Sequence, residues 1–245
     1  YCRQKARHFR NVRSKVGCRM RIPGSRTFQK MSAKVQDGLF SLLAMDRVID
    51  RRERNERIVA MGFAGQWDEH QRFQMDFLRR SGLRGSHRFL EIGFGPLTLA
   101  IPLIRELDAG GYTGVDVREG VANLAYRLLA KEGLAGKNPR LLVSDRFGAE
   151  ELGDTTFDII WSFSVLYHLN DALVAQWFGE VGRRLAPDGH YWANINITEE
   201  ESQWLQFPFL RRTPEFYEEL ASENGLRMQV LGSLADLGFR LPGAE

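Results

Sequence analysis

The sequence predicts an open α/β sheet with helices on both faces. Three observations predict it. From residue 87 onward, short apolar runs alternate with amphipathic stretches of ten or more residues, the signature of parallel βαβ units. The first run, Phe89-Leu90-Glu91-Ile92, passes directly into the glycine turn Gly93-Phe94-Gly95-Pro96 and then into a helical pattern. Later runs again end in carboxylates, so polar groups gather where such a sheet places its ligand, at the carboxyl ends of the strands.

Strands are predicted at 88–92, 111–116, 140–144, 157–162 and 190–197, and helices at 98–108, 119–132, 171–185 and 214–224. Upstream, residues 67–80 read as an amphipathic helix with Phe73, Phe77 and Leu78 inward, ended by Ser81-Gly82. Asn170 or Asp171 is placed to cap the helix that carries Leu173, Val174, Trp177, Phe178, Val181 and Leu185. Pro187-Asp188-Gly189 predicts a turn before the fifth strand, and Gly133 a left-handed helix stop. Pro102 is tolerable only near a helix start or at a kink.

Residues 31–61 also read as helical, since Val35, Leu39, Leu42, Met45 and Ile49 recur at spacings of three and four. The charge run 51–57 then suits an exposed helix face, with Glu53 and Arg57 as an i,i+4 pair. The organisation expected is a basic arm (1–30), a helical extension or lid (31–65) and the α/β domain (66–245). The extension is also a candidate dimerisation element.

Residues 1–30 hold ten Lys and Arg and no Asp or Glu, which leaves 24 basic against 31 acidic groups in the remainder. A basic arm on an acidic body is suited to an anionic surface, a polyanionic glycan or nucleic acid, or is simply a solvated terminus. The most apolar stretch, Phe157 to Leu169, is too short to span a bilayer and carries Asp158 and His168. No secretory-signal pattern is visible, so a cytoplasmic protein is expected, peripheral to a membrane if the arm binds one. The two cysteines, Cys2 and Cys18, lie in the arm without His or Cys partners at metal-ligand spacing, so no metal site is expected.

Gly93 and Gly95 let the backbone turn tightly and approach a ligand. A dinucleotide fingerprint would place a third glycine at 98, where the chain has Thr98, and Glu91 precedes the turn instead. Asp116 ends the second strand 21 residues beyond Gly95 and could accept both hydroxyls of a ribose, in NAD or in an adenosyl cofactor. It could equally cap the next helix. The third strand ends in Asp145, which could bind an adenine amino group, and the fourth in small polar residues followed by His168.

Taken in order, LEIGFGP, GVDV, LVSDRF, FDIIWSFSVLYHL and LAPDGHYWANI make residues 66–232 resemble the class I S-adenosylmethionine-dependent methyltransferases. The resemblance implies a Rossmann-like fold with an open, mostly parallel seven-stranded sheet. It implies S-adenosylmethionine as cofactor and S-adenosylhomocysteine as product. It gives Glu91, Gly93, Phe94 and Gly95 to the methionine end and the backbone turn, Asp116 to the ribose, and Val117 to the adenine face. Asp145 would meet the adenine amino group with Arg146 or Phe147 beside the ring, and Ser162 would lie near the sulfonium. Gln66 and Trp67 stand where relatives place covering residues.

For the acceptor, the fourth-strand tip lacks the Asn/Asp-Pro-Pro-aromatic pattern of enzymes that methylate amide or base nitrogens. A hydroxyl of a small molecule, sugar or glycan is therefore expected. His168 is the candidate base, and Trp67, Tyr167 and Trp204 are candidate acceptor contacts. The alternatives are an RNA methyltransferase steered by the basic arm, a non-catalytic cofactor-binding subunit, and a nicotinamide oxidoreductase or epimerase. Against the last stand Thr98 and the lack of a Tyr-x-x-x-Lys pair.

Overall fold

A computed structural model describes residues 67–196, 202–204 and 207–239, and for 202–204, 207 and 208 the backbone only. The basic arm, the segment 31–66 and its expected helices lie outside the described residues. The elements run in the order α1 (Trp67–Arg80), β1 (Phe89–Ile92), α2 (Ala100–Glu106), β2 (Tyr112–Asp116), α3 (Glu119–Lys131), β3 (Arg140–Val143), α4 (Ala149–Leu152), β4 (Phe157–Ser162), α5 (Asp171–Arg184), β5 (Leu185–Ala193), β6 (Ser202–Trp204), β7 (Phe207–Phe209) and α6 (Pro214–Glu223).

Strands β1 to β5 form one parallel sheet in the order β3-β2-β1-β4-β5. The chain goes outward from β1 to β3 and then returns to the other side of β1, so β1 and β4 lie side by side and their following loops diverge there. That divergence opens a crevice outside the strand ends.

Alternation along the strands splits the core into two layers. Phe89, Tyr112, Ile159 and Trp161 pack with Leu78, Leu103 and Leu128 on one face. Leu90, Ile92, Val115 and Ile160 pack with Val174, Trp177, Val181 and Tyr217 on the other. Strands covered on both sides must be apolar almost throughout, which is why β1 and β4 read as continuous runs rather than alternating ones.

Local signals explain the boundaries. Asn170 Oδ1 accepts the Leu173 N–H at 2.9 Å and caps α5. Gly133 turns away from α3 at φ +67°. Pro102 stands in the first turn of α2, where its missing N–H costs no helical bond. The Trp161 indole donates to Gln74 Oε1 at 3.0 Å and fixes α1 against β4.

One expectation is corrected. Pro187-Asp188-Gly189 is an irregularity inside β5 rather than a turn before it. Phe157 pairs with Leu185 and Ile159 with His190, so β5 absorbs the extra residues as a bulge and ends at Ala193. A side chain at Gly189 would meet the Ala186 and Asp158 carbonyls and Leu185 at 3.0 Å, so glycine permits this close passage. Among the described residues the sheet has five strands. β6 and β7 pair antiparallel only with each other, and the chain after α6, between Gly225 and Gly232, has no described ladder partner.

Candidate active site

The turn after β1 is tied to β2 by hydrogen bonds. Gly93, at φ +75°, donates its N–H to the Val115 carbonyl at 2.7 Å. Gly95, at φ +50°, donates its N–H to Asp116 Oδ2 at 3.0 Å. The two glycines thus supply left-handed backbone that side chains strain to adopt. Beneath the turn Phe94 is buried against Gly114, where a Cβ would meet both Phe94 Cδ1 and the Tyr112 hydroxyl at 2.9 Å. Glycine in the middle of β2 therefore makes room for one ring and one hydroxyl.

That hydroxyl donates to Glu91 Oε2 at 2.6 Å. Glu91 is buried, and desolvation pushes its carboxyl up to about 8 despite the Tyr112 bond, with nearby Asp116 adding to the rise. Tyr112 is raised well above the usual phenol range by the same burial and by Glu91.

Asp116 accepts four donors. Beside Gly95, the Arg118 N–H reaches Oδ1 at 3.0 Å, Arg118 Nε reaches Oδ1 at 3.1 Å and Arg118 Nη2 reaches Oδ2 at 3.3 Å. Ser144 N–H bonds the Asp116 carbonyl at 3.1 Å and brings the β3 tip alongside. Val117 and Val143 remain 50% and 43% exposed there, two uncovered apolar side chains in a domain that buries most others. Asp145 is exposed, and Arg146, also exposed, pairs with Glu150 at 3.5 Å. Phe147 is buried instead, at φ +58°, with its ring 5.1 Å from Trp177.

On the β4 side, Ser162 is fully buried and shares a 2.6 Å hydrogen bond with the Tyr191 hydroxyl, which also accepts the Trp177 indole N–H at 2.8 Å. Its side chain is thus engaged with the α5 layer. Beyond it Ser164 sits at φ +59°, held by its N–H donating to Asn194 Oδ1 at 2.6 Å. The Tyr167 phenol hydrogen-bonds Ser164 and Asn194, and burial raises it. Val165 folds back over the glycine turn so closely that a Cβ on Gly93 would lie 2.6 Å from Val165 Cγ2.

Tyr167 stacks on Phe209 at 5.1 Å, and the His168 ring stands edge-on to Phe209 at 4.7 Å. Arg212 locks this corner from below. Its guanidinium donates to the Leu166 and Leu169 carbonyls at 3.3 and 2.5 Å, and to Asp171 Oδ1 at 2.8 Å.

Trp67 is buried at the start of α1, and Trp204 is described by its backbone alone, in β6. Gln66 lies outside the described residues. Among the described residues no three His, Cys, Asp or Glu side chains converge as a metal-ligand group, and no helix is long and apolar enough to cross a membrane. A recess along α1, lined by Glu69, Arg72, Phe73, Asp76 and Arg79 among others, includes none of the strand-tip residues.

The structure therefore ties Gly93 and Gly95 to β2 through Val115 and Asp116, with Glu91 bonded to Tyr112 beneath the turn and Val117 and the β3 tip beside it. Tyr167 and His168 form a second group at the β4 loop. Sequence reading missed Tyr112, Arg118 and Asn194. A basic residue two positions after a strand-tip acid is a visible signal for Arg118. Nothing local marks the other two, whose partners are distant in sequence.

Residues 90–191 match the family model of a methyltransferase domain. This stretch, inside the α/β domain, is similar to methyltransferase domains. Solved structures with TM-scores of 0.50 and above share the fold of this domain. Magnesium protoporphyrin IX methyltransferase from Synechocystis PCC 6803, solved with bound cofactor, is 17% identical with a TM-score of 0.52, over 79% of this chain and 85% of that one. The YcgJ protein of Bacillus subtilis is 19% identical with a TM-score of 0.50, over 62% and 67%. The PH0226 protein of Pyrococcus horikoshii is 20% identical with a TM-score of 0.45, and the match spans 53% of this chain and 54% of that one. No curated protein matches the chain.

Proposed function

We propose that the methyltransferase domain binds S-adenosylmethionine across the tips of β1, β2 and β3 and methylates a hydroxyl of a small molecule, a sugar or a glycan end. The observation that supports this most is the Gly95 N–H bond to Asp116 at 3.0 Å. It makes the glycine turn and the β2 carboxylate one rigid unit, so a ribose diol accepted by Asp116 lies directly against the turn. Val117 and Val143 offer an apolar shelf to a flat heterocycle, and exposed Asp145 stands ready to accept its amino group.

When bound, the cofactor supplies a methyl on a sulfonium, open to in-line displacement by a nucleophile. The chain's own part is alignment and exclusion of water. Val165, pressed on Gly93, closes the crevice between the β1 and β4 loops. Glu91 holds a proton up to about 8 and gives it up when a cationic group arrives nearby, since opposite charge favours the carboxylate. Tyr167 and His168 face the acceptor, and His168 receives the hydroxyl proton.

The test is calorimetric binding of S-adenosylhomocysteine to the wild type and to Asp116→Ala, followed by turnover against an acceptor library read by mass for a gain of one CH₂. Equal binding by the variant would remove the ribose assignment. Methylation of amines alone would remove the hydroxyl acceptor.

A further inference from the structure

We infer that Arg118 is a displaceable placeholder for the cofactor ribose, so that binding requires its guanidinium to leave Asp116. This rests on the cofactor reading above. An ionised carboxylate has about four lone-pair sites, and all four are used here by Gly95 N–H, Arg118 N–H, Arg118 Nε and Arg118 Nη2. A ribose diol needs two of them.

The four donors are not equally able to give way. The two backbone N–H groups are fixed by the glycine turn and by the start of α3, and releasing them would unwind both. The guanidinium ends a long side chain that is 19% exposed, against 3% for Asp116, so it can turn toward solvent without unwinding either element.

The pair also has a purpose before a ligand binds. A buried carboxylate with only two backbone donors would be poorly compensated, and Arg118 neutralises it until a ligand arrives. The guanidinium thereby sets a threshold. A ligand gains from Asp116 only what exceeds the charge-assisted fork it displaces, so a molecule without a suitably placed diol is rejected more strongly than by a bare carboxylate. Arg118 thus acts as a specificity residue through competition.

The experiment is S-adenosylhomocysteine titration of the full chain. Wild type, Arg118→Met and Arg118→Lys are compared, with folding checked by circular dichroism. Arg118→Met is expected to bind about tenfold more tightly, because hydrogen bonds to a charged group no longer have to be broken first. Arg118→Lys, which cannot make the fork, is expected to fall between the two, and carries the test alone if the Met variant does not fold.

Unchanged or weaker binding by the variants, with the wild type still binding, overturns the placeholder and shows that Arg118 supports the bound cofactor. Absence of binding in wild type and variants alike overturns the cofactor reading itself, and the placeholder with it.

Discussion

The Tyr112 hydroxyl donates to Glu91 across 2.6 Å beneath the glycine turn, in a pocket that buries both side chains. The bond favours the Glu91 anion, yet desolvation wins and holds the carboxyl at about 8 against an ordinary 4.5. Between those values the folded chain keeps a proton that the unfolded chain has released. Stability from this group is therefore full below about pH 4.5 and falls as pH rises to about 8, by at most about 1.4 kcal/mol per pH unit. Urea unfolding across this range should show that decline in the wild type and a flatter profile in Glu91→Gln. Parallel profiles would mean that Glu91 is already ionised.

Gly114 makes that bond possible. A methyl there would sit 2.9 Å from both the Tyr112 hydroxyl and Phe94 Cδ1, too close for either to stay. Gly114→Ala should lower stability by about 1–3 kcal/mol, the usual cost of overpacking. Combining it with Phe94→Leu should recover part of the loss in denaturant titrations, because one of the two obstructed groups is then smaller. If the losses simply add, the collision is not the cause.

How far the sequence revealed this site depends on the range of the interactions. Glu91, Gly93, Gly95 and Asp116 were legible because a strand-turn-helix needs special residues at fixed local offsets. Asn170 was legible as a cap for the same reason. Ser162 shows the limit. Its place at the end of β4 was readable, but its engagement with Tyr191, 29 residues away, was not. Asn194 bonding Ser164 and Arg212 bonding the Leu166 carbonyl are likewise contacts that only the folded topology creates. The bulge at Pro187-Asp188-Gly189 looked like a turn because the same residues suit both, and only pairing to β4 distinguishes them.

Arg212 should matter more for its carbonyl partners than for its ion pair. Its side chain is 5% exposed while that of Asp171 is 76% exposed, so water already competes for the carboxylate. Asp171→Ala should change stability by less than about 1 kcal/mol. Arg212→Met strands the Leu166 and Leu169 carbonyls in a buried corner and should cost about 2–4 kcal/mol. It should also loosen the loop that carries Tyr167 and His168, visible as faster amide exchange there. Equal effects from the two substitutions would show that the ion pair carries the corner.

His168 poses the sharpest question about the acceptor side, because packing and chemistry both explain it. Its ring lies 4.6 Å from Tyr167 and 4.7 Å from Phe209, an arrangement that by itself needs only an aromatic surface. A base adds a requirement that packing does not have, a nitrogen able to take a proton. His168→Phe preserves the ring contacts and removes the nitrogens, while Phe209→Leu does the reverse. If His168 is the base, His168→Phe should reduce turnover by about a hundredfold or more and leave S-adenosylhomocysteine affinity within about twofold, whereas Phe209→Leu should act chiefly on KM for the acceptor. If His168 only packs, His168→Phe should be nearly silent and Phe209→Leu the more damaging of the two. The order of the two effects therefore assigns the role, whichever acceptor is used.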